Sequence, residues 1–95
     1  MTAYLIANIT IKDPQTFAQY RERVVPLVHK FGGRYLVRGG TVNRLEGAST
    51  SLSRIAIIAF PTLEQARAFY NSPEYEPVQA LRAKAADSDL FLVEG

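Results

Sequence analysis

The sequence predicts an α+β fold in which a four-stranded antiparallel sheet carries helices on one face. The segment Arg54–Phe60 is apolar after its first residue, so a strand formed there must be covered on both faces. Strand-like and helix-like segments alternate along the chain, which is typical of strand-helix-strand units. The 95 residues correspond to one domain, residues 1–95, which buries only about 60–65% of the surface that its unfolded chain exposes. We therefore expect a thin core and a partner for the sheet.

Composition and charge exclude several classes of function. Hydrophobic residues make up 47% of the chain and charged residues 21%, which is ordinary for a globular domain. Cysteine is absent and histidine occurs once, so we expect no disulfide, no metal and no cofactor. The net charge is +2, but acidic residues lie between the basic ones, so the basic residues form no continuous stripe. This distribution argues against the binding of nucleic acid. No signal peptide or membrane-spanning run is recognisable, and we expect a cytoplasmic protein without membrane contact.

The first strand and the first helix are marked by their periodicity. Residues from Tyr4 to Ile11 alternate with period two, which leaves one side of a strand apolar and the other side mixed. Asp13 then offers an N-cap, and Pro14 is a favourable first helical residue. The apolar face of this helix recurs at spacings of three and four residues: Phe17, Tyr20, Val24, Leu27, Val28 and Phe31.

Proline and glycine punctuate the next part of the chain. Pro26 lies inside the helix, where a proline costs about 3 kcal/mol, so we expect a kink or a restart one residue earlier. The glycine pair at 32–33 predicts a left-handed stop. A short strand is expected at 34–38, closed by the glycine pair at 39–40. Residues 41–53 are polar and predict a long loop, part of which extends the hairpin.

The second half of the chain repeats this pattern. The strand Arg54–Phe60 is followed by Thr62 and Gln65, which have the spacing of a capping box. Ser72 is the expected N-cap of a further helix that starts at Pro73. The inner faces of the two helices are expected to consist of Leu63, Ala66, Phe69 and Tyr70, and then of Tyr75, Val78 and Leu81.

The order of these elements predicts the topology of the sheet. A turn at 87–89 and a last strand at 90–93 complete the series strand, helix, strand, strand, helix pair, strand. Right-handed crossovers fold this series, βαββαβ, into the ferredoxin-like sheet, in which the first and third strands lie in the middle. The second strand is short and flanked by arginines, as expected of an edge strand.

Helices in this topology cover one face of the sheet and leave the other uncovered. The uncovered face would expose isoleucine, phenylalanine and tyrosine side chains, at a cost of about 25 cal/mol per Å² of apolar area. Apolar patches of this kind usually mark an interface, and packing two of them across a two-fold axis buries both. We therefore predict a homodimer whose sheets enclose a barrel-like core. A ligand cavity is expected in each subunit, near the polar residues of the enclosed face.

Several motifs spread over almost the whole chain point to a family. They are Ile-x-Asp-Pro after the first strand and the segments 31–40, 60–66, 71–75 and 92–95. Together they resemble domain-of-unknown-function family thirteen-thirty. That family is similar to the dimeric α/β-barrel superfamily, which also contains cofactor-independent monooxygenases, lactone isomerases and haem-degrading enzymes. The resemblance implies a ferredoxin-like fold and a dimeric α/β barrel, but no established reaction.

Two residues are candidates for catalysis. His29, the only histidine, lies near the end of the first predicted helix, where a cation is stabilised by about 0.3–1 kcal/mol. If it lined a cavity instead, it would be a general base that titrates near neutral pH. Asn8 lies in the middle of the first strand among apolar residues. Its amide needs hydrogen-bond partners, which either a neighbouring strand or a wet cavity would supply.

Four residues are candidates for ligand binding. Arg38 and Arg54 flank the long loop, where they would either form salt bridges with Glu46 or recognise a carboxylate through the guanidinium fork. Tyr35 and Tyr75 would either pack against the core, with a partner for each hydroxyl, or line the ligand cavity.

Two functions remain compatible with the sequence. No nucleophile elbow, phosphate loop or carboxylate pair is recognisable, and the serines within 49–53 have no base nearby in sequence. The first function is the binding of a small acidic or aromatic metabolite by a homodimer. The alternative is a cofactor-independent enzyme, monooxygenase-like or isomerase-like, in which His29 or Asn8 moves protons and Arg38 or Arg54 holds an organic acid.

Overall fold

The computed structural model describes residues 1–48 and 52–95. The elements follow one another as β1 (Ala3–Ile11), α1 (Pro14–Lys30), β2 (Arg34–Thr41), β3 (Arg54–Phe60), α2 (Leu63–Tyr70), α3 (Tyr75–Ala85) and β4 (Ala86–Glu94). The strands form one antiparallel sheet in the order β2-β3-β1-β4. The predicted ferredoxin-like α+β fold, with β1 and β3 in the middle, is therefore confirmed.

The period of two in β1 gives the sheet two different faces. Ala3, Leu5, Ala7 and Ile9 are buried beneath the helices, and the residues between them point to the opposite side. Directly paired residues of neighbouring strands share a face, so the cross-strand register defines this second side. We call it the open face; its members include Tyr4, Ile6, Asn8, Val37, Ile55, Ile57, Phe91 and Val93.

The first helix begins at its predicted cap. The carboxylate of Asp13 accepts hydrogen bonds from the backbone N–H groups of Gln15 and Thr16, at 3.2 and 3.3 Å. Hydrogen bonds to the Thr16 side chain and backbone lower the pKa of Asp13 below its usual value. At the other end, Gly32 adopts a φ of +83° and donates to the carbonyl of His29, as the predicted left-handed stop requires.

The predicted restart of this helix at Pro26 is wrong, because α1 runs from Pro14 to Lys30 with Pro26 inside it. Proline lacks the N–H that would bond the carbonyl of Glu22, one turn earlier. Both Pro26 and Glu22 lie on the exposed side of the helix. Solvent can therefore hydrate the freed carbonyl, and the helix continues.

Two strands are longer than predicted. β2 continues through Gly39 and Gly40 to Thr41, because register shifts relative to β3 absorb the glycines, and Gly39 has a φ of +77°. β4 starts at Ala86, so the predicted turn at 87–89 is wrong. Ala86 is already extended and follows α3 directly, and residues 87–89 pair with β1. The first residue of the predicted loop at 41–53 belongs to β2. The Ser-Thr-Ser run of this loop, at 49–51, lies outside the described residues.

The caps of the second half are mostly as predicted. The hydroxyl of Thr62 accepts a hydrogen bond from the backbone N–H of Gln65 at 3.1 Å. The buried hydroxyl of Ser72 accepts from the N–H of Tyr75 at 3.2 Å and donates to the carbonyl of Phe69 at 2.9 Å. The helix α3 nevertheless begins at Tyr75, two residues later than predicted.

An aromatic cluster fills the core between the sheet and the helices. Phe60, Phe69 and Tyr75 are each 1% exposed. The rings of Phe69 and Tyr75 are 4.7 Å apart, and those of Phe60 and Phe69 are 5.5 Å apart. Such pairs contribute about 0.5–1.5 kcal/mol each beyond their buried area. None of the described helices is both long enough and apolar enough to cross a bilayer.

We predict that Gly33→Ala destabilises the protein by about 1–3 kcal/mol. A Cβ atom at Gly33 would lie 2.7 Å from Phe60 and 2.8 Å from Val28, so these buried side chains would have to move. Gly40→Ala is the matched control, because its nearest side-chain atom, on Val37, would be 3.4 Å away. Urea unfolding should place this control within about 0.5 kcal/mol of the wild type. Equal stability of the two variants would contradict the prediction.

Candidate functional site

A cavity of about 270 Å³ lies between the sheet and the helices. Its floor is formed by residues on the helix side of β1 and β3, among them the directly paired Ala7 and Ala56. These two small side chains leave room at the centre of the sheet that larger residues would fill. We expected a cavity near the polar residues of the face that a second copy would enclose; in the single chain, this cavity lies on the helix side of the sheet.

Arg82 is the most unusual residue of the cavity lining. It follows Tyr75 and Val78 on the inner stripe of α3 and is only 8% exposed. Its Nε atom is buried and has no hydrogen-bond partner among the described residues. A buried donor without a partner is costly, so its presence calls for an explanation.

Three tyrosines from three different elements line the same cavity: Tyr20 of α1, Tyr35 of β2 and Tyr75 of α3. Burial raises the pKa of Tyr20 well above its usual value, and the nearby Tyr75 raises it further, whereas the charge of Arg82 acts in the opposite direction. Burial also raises the pKa of Tyr35 to about 12, against the opposing charge of Arg38. Both tyrosines therefore stay protonated at neutral pH; the Tyr20 hydroxyl is hydrogen-bonded with Tyr75.

The remaining cations of the lining are exposed and lie at its outer side. Arg21, Arg38 and Arg54 all line the cavity with solvent access. The guanidinium of Arg38 lies 5.0 Å from the centre of the Tyr35 ring, a distance that permits a cation–π contact. The ion pairs within residues 1–48 and 52–95 are Lys12–Asp87 and Lys30–Glu74, so the alternative of a salt bridge from Arg38 or Arg54 to Glu46 is not supported.

The structure separates the two candidate catalytic residues from the cavity. His29 is exposed near the end of α1 and is not part of the lining. Asn8 lies on the open face, where its side-chain oxygen accepts a hydrogen bond from the backbone N–H of Ser53 at 3.1 Å. The four candidate ligand-binding residues are brought together: Arg38, Arg54, Tyr35 and Tyr75 all line the cavity.

Sequence reasoning missed Arg82 as a site residue. The predicted inner face of α3 was Tyr75, Val78 and Leu81, whereas the buried residues are Tyr75, Val78, Arg82 and Ala85. The spacing of Arg82 contained the signal, since it lies seven residues after Tyr75 and four after Val78.

The lining residues favour the binding of an anion. Four arginines line the cavity, and no acidic residue of the described ranges does. Within residues 1–48 and 52–95, no group of three or more histidine, cysteine or acidic side chains lies together as a metal site would need. The walls between the polar groups are apolar, with Leu5, Ile9 and Ile58 among them. This arrangement suits a small molecule with an apolar body and an acidic group.

We predict that the free energy of unfolding falls as the pH rises from about 10 to about 12. Tyrosines of the unfolded chain lose their protons near pH 10. The raised pKa values keep Tyr20 and Tyr35 protonated in the folded state at that pH. Above pH 10 the unfolded state therefore binds fewer protons than the folded state, and the free energy of unfolding decreases. Urea unfolding at about pH 8 and about pH 11 measures this loss.

Two variants in the same experiment measure how much the buried Tyr20 contributes to this loss of stability. Tyr20→Phe should lose less stability between the two pH values than the wild type does. Tyr70→Phe, which alters an exposed tyrosine of α2, should lose as much as the wild type. An identical loss in Tyr20→Phe and Tyr70→Phe would contradict the prediction.

Comparison with known proteins supports the fold. The chain is similar to a protein of unknown function from Rhodopseudomonas palustris, at 18% identity and a TM-score of 0.76, covering 99% of this chain and 82% of that chain. It is also similar to a variant of SnoaB, a cofactor-independent oxygenase from Streptomyces nogalater, at 15% identity and a TM-score of 0.74, covering 99% and 92%. A dimeric ferredoxin-like protein of unknown function from Jannaschia sp. CCS1 follows at 9% identity and a TM-score of 0.67, covering both chains completely.

At these identities, the likeness to solved structures shows the fold alone. No curated protein matches the chain at a significant level. The family comparison is more informative, because residues 2–95 match the family described as Domain of unknown function (DUF1330). The match spans the whole sheet and every helix. The predicted resemblance is confirmed, and the chain belongs to the DUF1330 family.

Proposed function

We propose that residues 1–95 form a single cytoplasmic domain that works as a homodimer and binds a small acidic or aromatic metabolite in the cavity beneath the helices. The observation that carries this proposal is the lining: four arginines and apolar walls, without an acidic residue from the described ranges. An apolar cavity with a few converging polar groups is the usual form of a small-molecule site.

The size of the cavity limits the ligand. Ligand pockets usually measure about 300–1,000 Å³, and this one is close to the lower end at about 270 Å³. A single aromatic ring with one acidic group, or a short-chain acid of similar size, fits that volume. The apolar floor at Ala7 and Ala56 would contact the body of the ligand, since both residues line the cavity.

The open face supports the homodimer. Its apolar side chains extend over all four strands, and Phe91 and Val93 are 50% and 42% exposed. A second copy that covers this exposed apolar area across a two-fold axis would remove it from water and so stabilise a dimer. Two proteins with the same fold, from Jannaschia sp. and Bacteroides fragilis, are described as dimeric.

The alternative function is a cofactor-independent enzyme that acts on a small organic acid in the same cavity. The fold of SnoaB, a cofactor-independent oxygenase, is compatible with it. The position of His29 outside the lining disfavours the form of this alternative in which histidine is the base. A new product found by mass spectrometry after incubation of a bound acid in air would favour the enzyme over the binding protein.

We predict that small carboxylic acids raise the melting temperature, whereas their amides do not. Benzoate, phenylacetate and salicylate are suitable probes, with benzamide, phenylacetamide and salicylamide as neutral controls of the same shape. A ligand at ten times its dissociation constant stabilises by about 1.4 kcal/mol, which corresponds to roughly 5–10 °C for a domain of this size. If none of the acids binds, or if the amides bind equally well, the proposed function is wrong.

We predict that the wild type sediments as a dimer at micromolar concentration and that Ile57→Lys weakens the dimer at least about 100-fold. Ile57 lies in the middle of the open face, paired with Ile6 on one side and Val37 on the other, so a lysine there would place a charge inside the interface. Ala68→Lys adds the same side chain to an exposed position of α2 and should sediment like the wild type. A monomeric wild type would refute the homodimer.

A further inference from the structure

Resting on the binding function proposed above, we infer that Arg82 anchors the acidic group of the ligand at the inner end of the cavity, while Arg38 and Arg54 attract the ligand at the mouth. The ligand class is a small monocarboxylic acid that enters with its acidic group first. The sequence alone favours Arg38 or Arg54 for holding the anion, whereas the burial of Arg82 favours Arg82.

Arg82 is charged, buried and without an ion partner in the described parts of the chain. It is 8% exposed, its Nε has no hydrogen-bond partner, and none of the described ion pairs includes it. Residues 49–51 are Ser-Thr-Ser and carry no charge. The fold gives no reason for a cation at this place, because its neighbours on the inner stripe are Tyr75, Val78 and Ala85. An apolar residue would fill the same stripe without the cost of desolvating a charge.

The surroundings of Arg82 suit a carboxylate. The guanidinium offers its N–H groups in a planar fork, which matches the two oxygens of a carboxylate. Tyr20 and Tyr75 line the same cavity, and the charge of Arg82 acts on the Tyr20 hydroxyl. Burial raises the pKa of Tyr20, and a side-chain hydrogen bond with Tyr75 raises it further, so these two hydroxyls form a polar pair beside Arg82. The inner end of the cavity therefore offers donors and a positive charge to an anion, in a place where solvent screening is weak.

Arg38 and Arg54 lie in a different environment. Both are exposed, and the Arg38 guanidinium already rests against the Tyr35 ring. Interactions between exposed charges are screened within about 10 Å at 0.1 M salt. Charges of this kind raise the rate of association at low salt and contribute little to the affinity at high salt. Arg82 should therefore mainly affect the affinity for the ligand, whereas Arg38 and Arg54 should mainly affect the association rate, although all three line one cavity.

The experiment compares Arg82→Met with Arg54→Met, using benzoate as the probe and benzamide as the neutral control. Arg82→Met should weaken benzoate binding about 10- to 100-fold, by a similar factor at about 20 mM and about 300 mM NaCl. Arg54→Met should lower the association rate at low salt and change the affinity by less than about threefold at high salt. Benzamide should fail to raise the melting temperature of all three proteins.

Stability separates a ligand anchor from a structural residue. Without ligand, Arg82→Met should raise the melting temperature by several degrees, because the buried charge is removed and the length of the side chain is kept. A structural Arg82 would instead give a lower melting temperature. A lowered melting temperature, or undiminished benzoate binding in Arg82→Met, would overturn the inference.

A measurement on the wild type avoids any dependence on the folding of the variant. The NMR signal of the Arg82 Nε–H group, assigned from its disappearance in Arg82→Lys, should shift and saturate as benzoate is added. The signal of Arg23, which is exposed on α1 and outside the lining, serves as control and should stay in place. If benzoate binds but only the Arg38 or Arg54 signals move, the anchor is wrong and the proposed function stands. If benzoate, phenylacetate and salicylate all fail to bind, the proposed function and this inference fail together.

Discussion

The constraint on which the structure depends is the unequal treatment of the two faces of one thin sheet. Alternation along β1 directs Leu5, Ala7 and Ile9 to the helices and Tyr4 and Ile6 to the other side. The described helices lie on one side of the sheet because both strand-helix-strand units have right-handed crossovers, which place their helices on the same side. The helix side therefore contains both the aromatic core and the cavity, and the open face is left for another surface to cover.

The cavity follows from the sizes of the residues on the helix side. At one end, large aromatic rings fill the space between the sheet and α2 and α3, and their contacts hold these elements together. At the centre, the small side chains of the facing pair Ala7 and Ala56 border the cavity. Arginine and tyrosine side chains of α1, β2 and α3 border this space. The aromatic core and the cavity thus lie in neighbouring parts of the same layer.

The sequence predicted the elements well where a local signal was strong. The apolar run of β3 and the caps at Asp13 and Thr62 are found where expected, because period, proline and capping chemistry act over a few residues. The predictions failed where a neighbouring strand decides the outcome. β2 continues through its glycines because β3 accommodates them by register shifts, and β4 begins early because β1 pairs with residues 87–89. The spacing from Val78 fits both Leu81 and Arg82, so the rotation of α3 against the sheet decides that Arg82 is the buried one.

The hydrogen bond between Asn8 and the N–H of Ser53 connects the two sides of the sheet. Asn8 belongs to the open face, and Ser53 directly precedes Arg54, whose side chain borders the cavity. A subunit seated on the open face would touch the same short backbone segment that orients this arginine. In the proposed homodimer, this hydrogen bond would place the interface one residue away from the cavity lining.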